Sequence, residues 1–262
     1  MGEEMSTKDI AELFSLRGRT ALISGASSGI GLHAAQTLFA AGASVALAAR
    51  RSDKLAEAVQ RIDASGSRAC AVQLDVTDSA TIAPAFDVVE QALGTPVDIF
   101  VNNAGVLFAQ RFVDQPEDKL DWLLDTNLKG AFLVAQEAAR RMSRIGRGSI
   151  INISSSSALR AAGMLSSYAT SKAALLHLGS VMALELAGKG IRVNTICPGN
   201  IETDMQDSLA KFHQNLLERT PMRRFGKPEA LDGALLLLAS DASRYMTGAV
   251  ITVDGGQTLA WM

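Results

Sequence analysis

The sequence predicts an α/β protein built on a single doubly wound, mostly parallel seven-stranded sheet with helices on both faces. Three observations lead there. Seven short runs rich in apolar and β-branched residues recur along the chain, and they are continuously apolar instead of alternating, as strands covered on both faces require. The stretches between several of them carry apolar residues at helical spacing. Strand and helix alternate throughout, which argues for right-handed βαβ crossovers.

In chain order the expected strands are 20–24, 44–48, 69–74, 98–102, 149–154, 191–196 and 249–253. Ile30, Ala34, Leu38 and Ala41 mark the helix after the first strand, Leu55, Val59 and Ile62 the next, and Leu175, Leu178, Val181 and Met182 a later one. Residues 1–16 form an N-terminal extension in which Ile10, Leu13 and Phe14 suggest a short docking helix. Residues 17–262 show no composition break or linker and read as one domain. Segment 200–226 leaves a strand's carboxyl end, where doubly wound sheets bind ligands, and is a candidate substrate lid.

Composition narrows the function classes. The chain has 262 residues, 48% of them hydrophobic, enough to bury a large core, and a formal charge of −2 without a basic block, so nucleic acid is not an expected partner. The longest apolar stretches, such as 234–239, fall far short of the roughly 18 residues a membrane span needs. The acidic N-terminus lacks the features of a secretory signal, so a cytoplasmic location is expected. Cys70 and Cys197, far apart, lack any partner spacing and read as buried small apolar residues. His33, His177 and His213 are scattered, and no metal is expected. A myristoylation pattern at Gly2 and Ser6 is undercut by Glu3 and Glu4, and a glycosylation sequon at Asn152 lies inside an apolar run.

Directly after the first strand, Ser24-Gly25-Ala26-Ser27-Ser28-Gly29-Ile30-Gly31 opens a helical pattern. Gly25 suits a tight turn, Gly29 a close approach to a pyrophosphate and Gly31 close helix–strand packing, while the helix N-terminus attracts the anion. The same residues spell a hydrolase elbow with Ser27 as nucleophile. That reading needs an earlier strand for half of its oxyanion hole and a late histidine, for which only His213 remains. A second cluster lies in Tyr168-Ala169-Thr170-Ser171-Lys172, where a spacing of four puts Tyr168 and Lys172 on one helical face. A nearby ammonium would lower the phenol's pKa and make Tyr168 a usable acid and base.

The glycine loop, Asn102-Asn103-Ala104-Gly105, Ser155, Tyr168 with Lys172, and Pro198-Gly199 with Thr203 together resemble, in order and spacing, the short-chain dehydrogenase/reductase family over residues 16–256. Ser24 departs from the family's usual threonine but keeps the hydroxyl. The resemblance implies a Rossmann fold and a catalytic set of Asn127, Ser155, Tyr168 and Lys172. In it Tyr168 handles the proton, Ser155 hydrogen-bonds the substrate oxygen, Lys172 lowers the tyrosine pKa and holds the nicotinamide ribose, and Asn127 supports Lys172 through water. It also implies cofactor contacts from Gly25, Ser27, Ser28, Gly29, Ile30 and Gly31, from Asp75 and Val76 beside the adenine, from Asn102, Ala104 and Gly105, and from Pro198, Gly199, Ile201 and Thr203.

The implied activity is hydride transfer between a nicotinamide cofactor and a ketone or secondary alcohol, with Met164, Leu165, Met205 and Phe212 as an apolar substrate wall. The second strand ends Ala49-Arg50-Arg51, with alanine where NAD-preferring relatives carry an acid, so NADP(H) is favoured over NAD(H) through Arg50 and Arg51. Alternatives are a 3-oxoacyl thioester reductase, with Lys129, Arg140, Arg141, Arg144 and Arg147 docking an acidic carrier, and a non-catalytic dinucleotide-binding regulator. The segment 249–256 resembles the edge strand through which family members pair, and a homotetramer is expected.

Overall fold

Along each central strand, successive side chains leave on opposite faces, and here both faces are buried. In the computed structural model, which describes residues 10–203, 205 and 213–259, Ala21 and Ile23 pack on one side of the first strand and Leu22 on the other. The strands are β1 (Thr20–Ser24), β2 (Ser44–Ala49), β3 (Ala69–Gln73), β4 (Ile99–Asn102), β5 (Gly148–Ile153), β6 (Ile191–Pro198) and β7 (Val250–Val253). They form one sheet in the order β3-β2-β1-β4-β5-β6-β7, and every pairing is parallel. The expected runs match these strands to within two residues at either end.

Helices α2 (Gly29–Ala40) and α3 (Ser52–Ile62), with the helix Asp232–Ala239, cover one face through Ala35, Leu38, Leu55, Leu235 and Leu238. Helices α4 (Ile82–Leu93), α6 (Ala131–Ile145) and α7 (Ser166–Leu186) cover the other through Phe86, Val89, Val134, Ala138, Met142 and Ala183. Between α5 (Glu117–Leu124) and α6, residues Asp125–Gly130 form a π-helical bulge that turns Asn127 into the interior.

Strand order reverses beside β1, so the carboxyl ends of β1 and β4 flank a crevice at the switch point. The expected N-terminal docking helix is only partly realised. Helix α1 (Ile10–Leu13) forms, but Ile10 is 74% exposed, and the fully buried Leu16 after it anchors the segment. One turn offers too little apolar face to seat itself.

Candidate active site

Gly25 and Gly29 both lie at positive φ, +69° and +56°, where side-chain-bearing residues are disfavoured. A Cβ on Gly25 would sit 2.8 Å from the Ala104 Cα, and one on Gly31 would sit 2.5 Å from the Gly25 carbonyl oxygen. The loop is therefore shaped by backbone contacts that leave no room for a side chain. Ser24, the departure from threonine, uses the hydroxyl it keeps: its Oγ accepts from the backbone N–H groups of Asn103 (3.0 Å) and Ala104 (3.1 Å). Asn103 Nδ2 donates to the Ser24 carbonyl at 2.9 Å, tying the end of β4 to the loop.

At the start of α2, Ser28 is the N-cap residue but makes no capping hydrogen bond, so the first-turn N–H groups keep their pull on an anion. Ser27 Oγ instead accepts from the Arg51 guanidinium at 2.8 Å. These features fit a dinucleotide pyrophosphate, and they do not fit the hydrolase. Among the described side chains Ser27 has no histidine partner: His33 Nε2 is bonded to Asp232 at 2.8 Å and His177 is exposed on α7, while the His213 side chain lies outside the described residues.

A cavity of about 600 Å³ opens beside this loop, running from Ile30 and Gly105 past Ser155, Tyr168 and Lys172 to Ile201 and Thr203. Strand β5 delivers the serine run to its floor, and each hydroxyl has a distinct place. Ser154 Oγ is buried and donates to the Lys172 carbonyl at 2.7 Å. Ser155 hydrogen-bonds Tyr168 and accepts from Ser157 Oγ at 3.0 Å. Among the serines 154–157, Ser155 is thus the one joined to the phenol.

Tyr168 and Lys172 lie in the first two turns of α7, with the ammonium 5.9 Å from the tyrosine ring centroid. Lys172 Nζ donates to the Ile153 carbonyl at 2.9 Å, and burial pushes its pKa down to about 8. The expected lowering of the tyrosine pKa is not seen. Burial raises it, because the phenolate loses solvent, and the opposing influence is the Ser155 hydrogen bond, not the Lys172 charge.

Asn127 lies fully buried in the π-helical bulge. Its amide accepts from Val106 N–H (2.7 Å), donates to the Val106 carbonyl (2.9 Å) and reaches Ser171 Oγ (3.2 Å), which donates to the Tyr168 carbonyl (2.7 Å). A Cβ on Gly105 would stand 3.3 Å from both Asn127 Oδ1 and Lys172 Nζ, so the two groups flank one point at the cavity wall.

The buried lysine carries a stability cost whose sign can be worked out. Unfolded, Lys172 binds its proton up to its ordinary value near 10.5; folded, it releases it near 8. Between those values the unfolded state holds more protons, so folded stability rises with pH across that window and is reduced in full below about 8. At about 1.4 kcal/mol per tenfold change in the proton equilibrium, the effect is of order 3 kcal/mol. In urea titrations of cofactor-free protein, Lys172→Met should be more stable than wild type at pH 7.5, and that gap should close as pH approaches 10. A gap independent of pH would contradict this account.

Other expected residues are placed as follows. Pro198, Gly199, Ile201 and Thr203 all line the cavity. Val76 is buried beside Gly130. Asp75 Oδ1 accepts from Thr77 N–H and Oγ1; burial pushes its pKa up, but those bonds and the Arg50 charge outweigh it and leave the carboxyl below its usual range. Asn102 does not reach the cavity: its amide donates to the Ala131 carbonyl and to Asn152 Oδ1 inside the sheet, while Asn103, the next residue, lines it. Asn152 is itself buried in β5, which removes the sequon. Met164 lines the cavity at φ +68°, held by a bond from Gln110 N–H to its carbonyl. Leu165 and Met205 line it too, and Phe212 lies outside the described residues. Cys70 is only partly buried, a correction to the expectation, whereas Cys197 is buried. Leu107, Arg160, Asn215, Arg219 and Gln257 also line the cavity; no motif in the sequence marked them.

Comparison with known proteins decides the family. A family model described as enoyl-(acyl carrier protein) reductase matches residues 25–258. Gluconate 5-dehydrogenase of Gluconobacter oxydans is 38% identical over 255 residues, covering 95% of this chain and 98% of that one. The chain belongs to the short-chain dehydrogenase/reductase family. A 3-oxoacyl-[acyl-carrier-protein] reductase of Thermotoga maritima is 39% identical, with 92% and 98% covered. The crystal structure of a gluconate 5-dehydrogenase from Burkholderia cenocepacia in complex with NADP and tartrate superposes with a TM-score of 0.91 at 37% identity, covering 96% of this chain and all of that one. The short-chain dehydrogenase/reductase fold is thus present over nearly the whole chain, and the protein is a nicotinamide-dependent oxidoreductase acting on a small molecule.

Proposed function

We propose that the protein interconverts a ketone and a secondary alcohol on a small polyhydroxylated acid, with NADP(H) preferred over NAD(H). The observation that carries this reading is the cluster of Ser155, Tyr168 and Lys172 at the floor of a cavity that begins at the glycine loop. Gly25, Ser27, Ser28, Gly29, Ile30 and Gly31 would hold the pyrophosphate end of the cofactor, Ala104 and Gly105 would line its adenosine side, and Pro198, Gly199, Ile201 and Thr203 would meet its nicotinamide half. Asp75 and Val76 stand at the adenine side. When bound, the cofactor supplies or accepts a hydride.

Tyr168 gives its proton to the substrate oxygen in reduction and takes it back in oxidation. Its raised pKa keeps it protonated at neutral pH, which suits the donor role. Ser155 donates a hydrogen bond to the same oxygen and fixes where it lies. Lys172, freed from the Ile153 carbonyl, would bind the ribose hydroxyls, and Asn127 holds the wall beside it. A spectrophotometric screen following reduced nicotinamide across sugar acids, ketones and acyl thioesters tests the reading. Turnover confined to acyl thioesters, or to none of the compounds, would overturn it.

Carrier-linked substrates are the weaker alternative, although one relative above carries that activity in its name. Of the five basic residues of the carrier-docking alternative, four are paired: Arg141 is buried among Glu137, Asp87 and Glu90, and Arg140, Arg147 and Lys129 each face a carboxylate within 4 Å, which leaves Arg144. A cation already paired offers little net attraction to an acidic partner. The complete Ser155, Tyr168 and Lys172 set likewise argues against a non-catalytic regulator.

Segment 200–226 supports the lid reading. Its ends are pinned together by a bridge between Ile201 and Gly226, and Asn215, Leu216 and Arg219 from the helix His213–Arg219 line the cavity between them. Residues 17–262 act as one catalytic domain, with 1–16 as an extension. A homotetramer fits the open edge at β7 and the exposed apolar side chains Phe132, Val181 and Leu184 on α6 and α7. Light scattering at micromolar concentration should give four times the 27.6 kDa chain mass, and a monomer would refute it.

A further inference from the structure

The cavity has a consistent charge. Arg160, Lys172 and Arg219 line it, and no aspartate or glutamate among the described residues does. Lys172 belongs to the catalytic floor. Arg160 and Arg219 do not: one follows the serine turn after β5, the other ends the helix His213–Arg219, and the two are 59 positions apart in the chain. Both are exposed, whereas Tyr168 is buried, so the cations stand at the outer rim and the proton donor at the bottom.

Neither arginine is paired with a carboxylate among the described residues. Arg160 Nη1 leans on the carbonyls of Gln257 and Thr258 at 3.4 Å each, long contacts that orient the guanidinium and leave its other donors unengaged. The nearest acid in sequence to Arg219, Glu218, takes a side-chain bond from Gln214 at 2.8 Å, and its backbone carbonyl accepts from Arg223. Asp254 is turned onto the backbone N–H groups of Gly256 and Thr258. A lone arginine at a helix end is ordinary capping. Two that converge on one cavity from separate segments are not accounted for that way. Gln257 adds a buried amide oxygen, Oε1, with no hydrogen-bond partner among the described residues, an acceptor for a hydroxyl.

We propose that Arg160 and Arg219 form an anion clamp that selects substrates bearing a carboxylate or phosphate at the end remote from the reacting carbon. Guanidinium forks match either oxyanion through paired hydrogen bonds. With the anion at the rim and the reacting carbon at Tyr168, the hydroxyl that is oxidised is not the neighbour of the acid group. This rests on the sugar-acid reading and specifies how such a substrate is oriented.

The test compares gluconate, glucitol 6-phosphate and the neutral glucitol in the presence of NADP, by calorimetric dissociation constants and by kcat/KM where turnover occurs. Wild type should bind at least one of the two anions tenfold or more tightly than glucitol, and the better of the two identifies carboxylate or phosphate as the recognised group. The double variant Arg160→Gln, Arg219→Gln should lose at least tenfold of that preference, and lysine at both positions should restore part of it. Equal binding of all three by wild type, binding of none, or an unchanged preference in the double variant would overturn the clamp. Anion binding that depends on the arginines without oxidation of any alcohol would instead sink the proposed activity and leave the clamp standing.

Discussion

Tyr168→Phe should lower kcat by at least about 10²-fold while leaving the dissociation constant of the cofactor within about twofold of wild type. The substitution removes one oxygen and keeps the ring that packs over the Lys172 ammonium at 5.9 Å. Ser155 loses its phenol partner but keeps its contacts with Ser157, so its position is retained. What disappears is the proposed proton donor, a group whose contribution in general acid–base catalysis is typically 10²–10⁴-fold. Because the interaction matters chiefly in the transition state, kcat and kcat/KM should fall together, with KM little changed. Steady-state kinetics paired with fluorescence titration of NADPH separates this from a folding or binding defect. Turnover within tenfold of wild type would remove Tyr168 from its role.

How far the sequence disclosed this site depends on what each residue does locally. Gly25, Gly29 and Gly31 were legible because a backbone at positive φ, or packed against another backbone, admits almost nothing else, and the constraint is written in a few consecutive letters. The strands were legible for a similar reason: Ile150 and Ile151 face opposite helical layers, and a strand buried on both sides cannot hide its continuous apolar run. Arg141 reads from its sequence neighbours as part of a solvated basic helix end, with carrier docking only as an alternative, and it is instead buried. Its partners Asp87 and Glu90 come from α4, and only the packing of α4 against α6 brings them within 3.0 Å. Arg160 and Arg219 escaped notice because their convergence is purely tertiary. The tyrosine pKa was misjudged because an i, i+4 spacing gives proximity but says nothing of burial, and burial dominates at Tyr168.

The proposed preference for NADP(H) rests on two adjacent arginines, and replacing both by alanine should weaken NADPH binding by about 10²- to 10⁴-fold with a much smaller effect on NADH. Strand β2 ends at Ala49, 9% exposed and without a carboxylate to repel a 2′-phosphate. Arg50 follows, exposed, and its charge is felt by Asp75 across the end of β3, which places it on the adenosine side of the crevice. Arg51 crosses to the glycine loop and donates to Ser27 Oγ at 2.8 Å and Ser28 Oγ at 3.5 Å, so it is held beside the residues proposed to meet the diphosphate. Ser28 itself carries no charge, and under the proposed preference Arg51 would supply from the neighbouring strand end what a basic residue there would provide. Charge-assisted hydrogen bonds contribute about 1.5–3 kcal/mol each, and two acting on one phosphate give the range above at 1.4 kcal/mol per tenfold. NADH lacks the phosphate, so it loses only the ordering of Ser27 and the general positive field. The single variants should divide the effect, Arg50→Ala acting on the phosphate alone and Arg51→Ala also loosening the loop. Fluorescence titrations of both reduced cofactors against all three variants measure this directly, and an equal loss for NADPH and NADH, or a wild-type preference for NADH, would show that the arginines serve the loop and not the phosphate.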